Sequence, residues 1–311
     1  MKIVFMGTPD FAKTILEAIY EAGHEITAVY TQPDKPKGRS GALIMPPVKE
    51  YALSKGLKVY QPNKIKEKEE VEILKTIPAD IYVVAAFGQF LSEEILNLPK
   101  YGCINAHGSL LPALRGASPI QRSIINGDKE TGITVMKMDK GMDSGDIIKK
   151  ESLPILDSDN ETSLYNKLAE LGARMVVEVL PEIEAGTATY TKQDESLVTF
   201  APMLKKEDGR IDFNKPAREI FNLIRGICEW PTAFSFYNGK SVKIYGALVS
   251  NECPDESLKP GEMYVTKKKL LVKTGDGFLE LTDVQLEGKK PMKAVDFING
   301  MRLATGNKFD S

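Results

Sequence analysis

Short β-branched runs alternate with helical patterns through the first half of this chain, and that rhythm admits little besides an α/β unit built on a mostly parallel sheet. The runs fall at 2–6, 26–30, 58–60, 81–86, 102–106 and 134–138. Between the first two, Phe11, Ile15, Ala18 and Ile19 recur at helical spacing behind Thr8 as N-cap, Pro9 as first helical residue and Asp10 in the first turn. Residues 66–77 predict a charged surface helix, and Ser92 with Glu93 and Glu94 opens a short one. A longer helix is expected over 161–184, with Leu164, Leu168, Leu171, Met175 and Val179 on one stripe.

The rhythm stops after Gly186. Residues 187–207 are polar and irregular and read as a linker, which divides the chain into 1–186 and 208–311. Beyond it, 216–227 is amphipathic through Ile220, Leu223, Ile224 and Ile227, and the rest is strand-like. Asn238-Gly239 between two apolar runs predicts a type I′ hairpin, which needs positive φ twice. Further short strands at 263–265, 270–273 and 278–284 suggest a small OB-like β-barrel. Trp230 reads as core at the start of that barrel, with an exposed stacking aromatic as the alternative.

The chain has 311 residues, 42% hydrophobic and 27% charged, with 41 Lys and Arg against 43 Asp and Glu. The resulting net charge of -2 excludes a global positive field, so any site for an anionic polymer must be local. Residues 208–311 alone carry +2 and 1–207 carry -4, which makes the C-terminal part the likelier platform for one. No apolar run is long enough for a membrane helix and the N-terminus lacks a secretory pattern, so the chain is expected in the cytoplasm without a membrane partner. Cys103, Cys228 and Cys253 lack the spacing of a metal or redox motif, and no metal is expected. Only His24 and His107 titrate near neutrality in an unperturbed state.

The first βα turn holds one glycine, Gly7, where a dinucleotide fingerprint needs three, and no acidic residue closes the second strand. A nicotinamide oxidoreductase is therefore disfavoured. The richest segment is 103–119. Alternation along its strand puts Asn105 and His107 on one face at the C-terminal end, where open α/β sheets place ligands. An amide and an imidazole converging there suit a developing oxyanion, as in acyl-type transfer. A carboxylate to orient the histidine is offered by the glycine-flanked loop 140–147, as Asp143 or Asp146, and spacing does not choose between them. The loop 32–42 carries Lys35, Lys37 and Arg39 with two prolines, which suits contact with a phosphate backbone, Arg39 being best fitted by its planar fork. A solvated connector is the plain alternative.

Five segments together resemble the bacterial methionyl-tRNA formyltransferase family, nearly end to end: MGTPDF at 6–11, TQPDKPKGR at 31–39, AAFGQFL at 85–91, NAHGSLLPALRGASPIQ at 105–121 and MDKGMDSGDI at 138–147. The resemblance implies a Rossmann-like, folate-binding catalytic domain over 1–186 and an OB-like tRNA-binding domain over 208–311. It implies formyl transfer from 10-formyltetrahydrofolate, a co-substrate, to the α-amino group of methionine on initiator methionyl-tRNA. Asn105, His107 and Asp143 match the family's catalytic trio, the first two stabilising the oxyanion. Ser109, Leu110, Leu111 and Pro112 match the folate pocket, with Phe87, Gln89 and Leu91 on its far wall. Arg39, with Lys35 and Lys37, matches a loop that meets the acceptor stem, and a monomer is the family expectation. Ser40, Gly41 and Ala42 are uncharged where relatives often carry lysine.

Two other functions compete. A formyltransferase acting on an amino-sugar nucleotide or another small amine would share the donor chemistry, but MGTPDF and the arginine loop oppose it. A binding module for nucleic acid would rest on the small barrel and Lys267-Lys268-Lys269, and it has no use for Asn105, His107 and Asp143.

Overall fold

The computed structural model describes residues 1–37 and 42–310, apart from the side chains of Lys37 and Ala42, and it divides into two compact units. The first comprises 1–119, 130–154 and 165–202. Its strands are β1 (Lys2–Gly7), β2 (Glu25–Tyr30), β3 (Lys35–Lys37), β4 (Ala42–Ile44), β5 (Val59–Tyr60), β6 (Ile81–Ala85), β7 (Cys103–His107), β8 (Glu130–Lys137) and β9 (Ile147–Pro154). Seven of them form one sheet in the order β5-β2-β1-β6-β7-β8-β9. The first five run parallel, and β8 and β9 are antiparallel additions. Both faces of β1 and β6 are covered, which is why they read as unbroken apolar runs.

The helices of residues 1–202 are α1 (Asp10–Glu21), α2 (Pro47–Ser54), α3 (Lys68–Lys75), α4 (Glu93–Leu96), α5 (Pro119–Asn126) and α6 (Glu161–Ala185); α5 from residue 120 on, and the first four residues of α6, group with the second unit. The expected stripes hold: α1 buries Phe11, Ile15 and Ile19, and α6 buries Leu164, Leu168, Leu171, Met175 and Val179. The start of α1 differs from expectation. Pro9 is the N-cap, and the Thr8 hydroxyl instead donates to Phe87 O at 3.1 Å and accepts from Gln32 N at 3.3 Å. Thr8 therefore ties together the C-terminal ends of β1, β2 and β6. Gly7 is required there, because a Cβ would lie 2.5 Å from the Ala12 Cβ and 2.9 Å from Ala85 O.

The strand β9 and the β3–β4 hairpin are additions to the sequence reading. The first is an edge strand carrying Lys149, Lys150 and Glu151, so it lacks the apolar signature of the central strands. Residues 187–202, expected as a linker, pack with the first unit instead: Thr191 exchanges both backbone hydrogen bonds with Ile147, and Arg115 and Phe200 form a parallel bridge.

The second unit comprises 120–129, 155–164 and 203–311, so two short segments of the first half join it. It contains α7 (Ala217–Gly226), β10 (Ala233–Tyr237), β11 (Lys240–Ser250), β12 (Met263–Val265), β13 (Leu270–Lys273), β14 (Phe278–Leu286), β15 (Met292–Lys293) and α8 (Ala294–Met301). The sheet is antiparallel in the order β10-β11-β14-β13-β12, with β15 against β14. Asn238 and Gly239 adopt φ of 50° and 73° between paired Tyr237 and Lys240, as the hairpin reading requires. The two sheet edges meet through the C-terminal segment, which bridges Glu262 with Lys308 and Phe236 with Asp310. The core gathers Ile220 and Ile224 of α7 with Ile244, Leu281, Phe297 and Phe309. Trp230 is 56% exposed, which overturns its reading as core. Among the described residues, no helix is long and apolar enough to cross a membrane.

Candidate active site

The order β5-β2-β1-β6-β7 reverses direction between β1 and β6, and ligands of open α/β sheets bind beyond the carboxyl ends of the strands at such a point. Asn105 and His107 close β7 at that end, two residues apart on one face and both buried. Asn105 is 9% exposed at this end of the strand, and its amide carries both donors and an acceptor.

Both nitrogens of His107 face protein. Nε2 lies 3.0 Å from Leu114 O, an acceptor only, so Nε2 carries the proton it donates. Nδ1 lies 3.7 Å from Asp143 Oδ2. Only the imidazolium offers a proton to both neighbours. The structure thus chooses between the two aspartates on geometry: Asp143 meets the histidine, while the Asp146 carbonyl accepts from Lys137 N in the sheet. Asp143 sits at φ 51° and accepts from Gly116 N at 2.9 Å. Gly116 has φ 123°, and a Cβ there would lie 2.7 Å from Ala201 O, so no other residue permits this approach. The Nε2 side of His107 is thus engaged with Leu114 O in this fold.

The loop after β7 is braced from β8 and β9. The Thr134 hydroxyl donates to Ser109 O and accepts from Leu111 N, Lys150 Nζ donates to Leu111 O, and Ser109 Oγ donates to Ala113 O. Ser109 and Leu111 are buried, so this stretch presents Leu110, Pro112 and backbone. On the other expected wall, the Phe87 side chain belongs to the core with Leu91 packed against it. Gln89 donates to Pro62 O and accepts from Ile65 N. All three side chains have contacts within the protein, and Phe90, which the sequence reading did not single out, is 76% exposed between them. Alternation along 87–91 carries that signal.

Sequence reasoning also missed Arg115, Gln193, Glu195 and Thr199. The buried Arg115 guanidinium donates to Gln193 Oε1 and pairs with Glu195 at 2.8 Å. Gln193 Nε2 donates to Asp143 O and Gly145 O, both at 2.8 Å, and Leu114 N donates to Thr199 Oγ1 at 2.9 Å. Lys35 is exposed in β3, and Arg39 lies outside the described residues. No cluster of His, Cys, Asp or Glu among the described residues is arranged to hold a metal ion. Cys103 is buried, and burial pushes its thiol up to about 12, so it is no nucleophile.

The chain belongs to the formyl transferase family, a class of group-transfer enzymes, and the strand bearing Asn105 and His107 with the Asp143 loop lies within its matched N-terminal part. Residues 1–180 match the family described as formyl transferase, and 203–302 match formyl transferase, C-terminal domain. Among curated proteins, methionyl-tRNA formyltransferase of Agathobacter rectalis is 49% identical over 310 residues, covering 99% of each chain. Two solved structures share the fold. An N-formyltransferase from Helicobacter canadensis, in complex with folinic acid and dTDP-3-aminofucose, superposes with a TM-score of 0.69 at 23% identity, over 90% of this chain and 98% of its own. HypX from Aquifex aeolicus, in complex with tetrahydrofolic acid, gives 0.68 at 17% identity, over 99% of this chain and 48% of its own.

Proposed function

We propose that this chain transfers a formyl group from 10-formyltetrahydrofolate to the α-amino group of methionine on initiator methionyl-tRNA. The observation that carries the reading is end-to-end identity of 49% with a methionyl-tRNA formyltransferase, across both units. An amino-sugar nucleotide as acceptor is supported only by a neighbour at 23% identity, which speaks for the fold.

Bound 10-formyltetrahydrofolate would supply a formyl carbon attached to a nitrogen that leaves as an amine. Attack by the methionine amine places negative charge on the formyl oxygen, and the Asn105 amide at the end of β7 is the donor for it. The attacking nitrogen gives up one proton and the departing nitrogen takes one up as the carbon–nitrogen bond to the donor breaks. His107 and Asp143 hold the charge for that exchange, Asp143 facing Nδ1. Ser109 to Pro112 form the folate wall through backbone and Leu110, and the 87–91 segment faces it through backbone and Phe90. Arg39, Lys35 and Lys37 contact the acceptor stem. A monomer working in the cytoplasm fits this role.

The test is formylation of initiator methionyl-tRNA by the purified chain with 10-formyltetrahydrofolate, beside an elongator methionyl-tRNA and an amino-sugar nucleotide. Formyl-methionyl product, with discrimination against elongator tRNA that Arg39→Ala weakens, is expected. A folded protein that formylates only the amino sugar refutes the reading.

A further inference from the structure

We infer that Gln193 and Thr199 are positioning residues for the His107–Asp143 pair, contributed by a segment that sequence reads as a linker. The inference rests on the formyl-transfer reading above for the meaning of the pair, and on the geometry for the rest.

Gln193 reaches the pair from the aspartate side. Its amide nitrogen donates to Asp143 O and Gly145 O, bracketing the residue whose carboxylate meets His107. Its amide oxygen accepts two donors of Arg115, so the amide is held in one orientation from both ends. The left-handed φ of Asp143 needs such fixing, since a non-glycine residue there relaxes when its surroundings release it. Gly145 allows the approach to the sheet, because a Cβ would fall within 1.7 Å of Lys137 O.

Thr199 reaches the pair from the histidine side. Leu114 also has a left-handed φ, of 61°, and its carbonyl accepts the Nε2 proton of His107. Its own N–H is held by Thr199 Oγ1, and the next residue, Arg115, exchanges backbone hydrogen bonds with Thr199 O and Ala201 N. One short segment thus fixes the orientation of the peptide that selects the histidine tautomer and the peptide that carries the carboxylate. A binding surface would need neither.

The substitutions that separate positioning from mere support are Gln193→Glu, Thr199→Val and Thr199→Ser. A glutamate at 193 keeps the Arg115 partnership but turns acceptors toward the Asp143 and Gly145 carbonyls. Valine at 199 keeps the shape and loses the hydroxyl, and serine restores it. For Gln193→Glu, kcat is expected to fall about 10- to 100-fold with KM for both substrates within about threefold, as misplacement without lost binding requires. Thr199→Val falls about 3- to 10-fold and Thr199→Ser returns to within about twofold.

A second readout does not use activity. The chain has two histidines, so His24→Gln leaves His107 as the sole imidazole for nitrogen NMR. In that background the neutral ring is expected as the Nε2-protonated tautomer, and Thr199→Val is expected to mix the tautomers. Should Gln193→Glu not fold, the two Thr199 variants carry the test. Unmoved kcat and unmoved ring-nitrogen shifts in folded variants of an active parent overturn the inference. An inactive parent with shifts that still respond refutes the formylation reading and leaves the positioning intact.

Discussion

Asp143→Asn is the perturbation that most directly interrogates the site. The substitution keeps the side-chain shape and an oxygen to accept from Gly116 N, so the loop geometry is preserved and the negative charge alone is removed. At 3.7 Å from Nδ1, a unit negative charge stabilises a positive imidazole by about 4 kcal/mol at an effective dielectric of about 20. Both side chains are largely buried, which limits screening by salt. That energy corresponds to a fall in kcat of up to about 10³-fold, reduced to about 10² if the asparagine dipole recovers part of it. The assay is single-turnover formylation of methionyl-tRNA at saturating donor, read by the mobility of the formylated aminoacyl ester, with tRNA binding measured by filter retention. Binding is expected within about twofold of the parent, because the lost charge faces the histidine. Asp146→Asn is the companion, and it is expected to retain most activity because the histidine contact belongs to Asp143. An Asp143→Asn protein that keeps more than about a tenth of the parental kcat refutes the electrostatic account.

Two further outcomes test the fold. Phe309 is 1% exposed and stacks on Phe213 at 5.4 Å, in the segment that joins the two edges of the C-terminal sheet, so Phe309→Ala is expected to cost about 3–5 kcal/mol. Urea unfolding of the full chain reads this, and a loss below about 1 kcal/mol means the segment does not hold the sheet. Cys103 gives a pH signature: its buried thiol rises from the ordinary 9.0 to about 12, so between those values the folded chain keeps a proton the unfolded chain releases. Stability is therefore full below about pH 9 and falls as pH climbs toward 12, and Cys103→Ala is expected to flatten that slope. Tyr30 and Tyr82 are pushed up by burial as well and add slope of the same sign, so the difference between parent and variant isolates the thiol; equal slopes refute it.

Legibility in the sequence followed the range of the interactions involved. The α1 and α6 stripes, the apolar central strands and the Asn238-Gly239 hairpin were readable because each depends on neighbours within a few residues. Asn105 and His107 were readable for the same reason, since strand alternation alone puts them on one face. Residues whose partners are far away in the chain were not. Thr8 looked like a helix cap, yet its hydroxyl serves Phe87, 79 residues on. Trp230 looked like core, yet it is exposed. Spacing left Asp143 and Asp146 both open, the resemblance pointed to Asp143, and in the fold it is Asp143 that meets the histidine.

The sequence by itself determined the α/β rhythm, the scarcity that left two histidines, and the motifs that carry formyl-transfer chemistry. Tertiary structure alone decided that residues 120–129 and 155–164 pack with the C-terminal unit and that 187–202 belong to the first. It alone placed Gln193 against the Asp143 loop, 50 residues away, and Thr199 against Leu114, 85 residues away. The physical reason is that a polar, irregular segment has no periodicity from which a burial pattern could be read. Its backbone and side-chain donors find partners only where the chain brings other unpaired carbonyls and amides within reach.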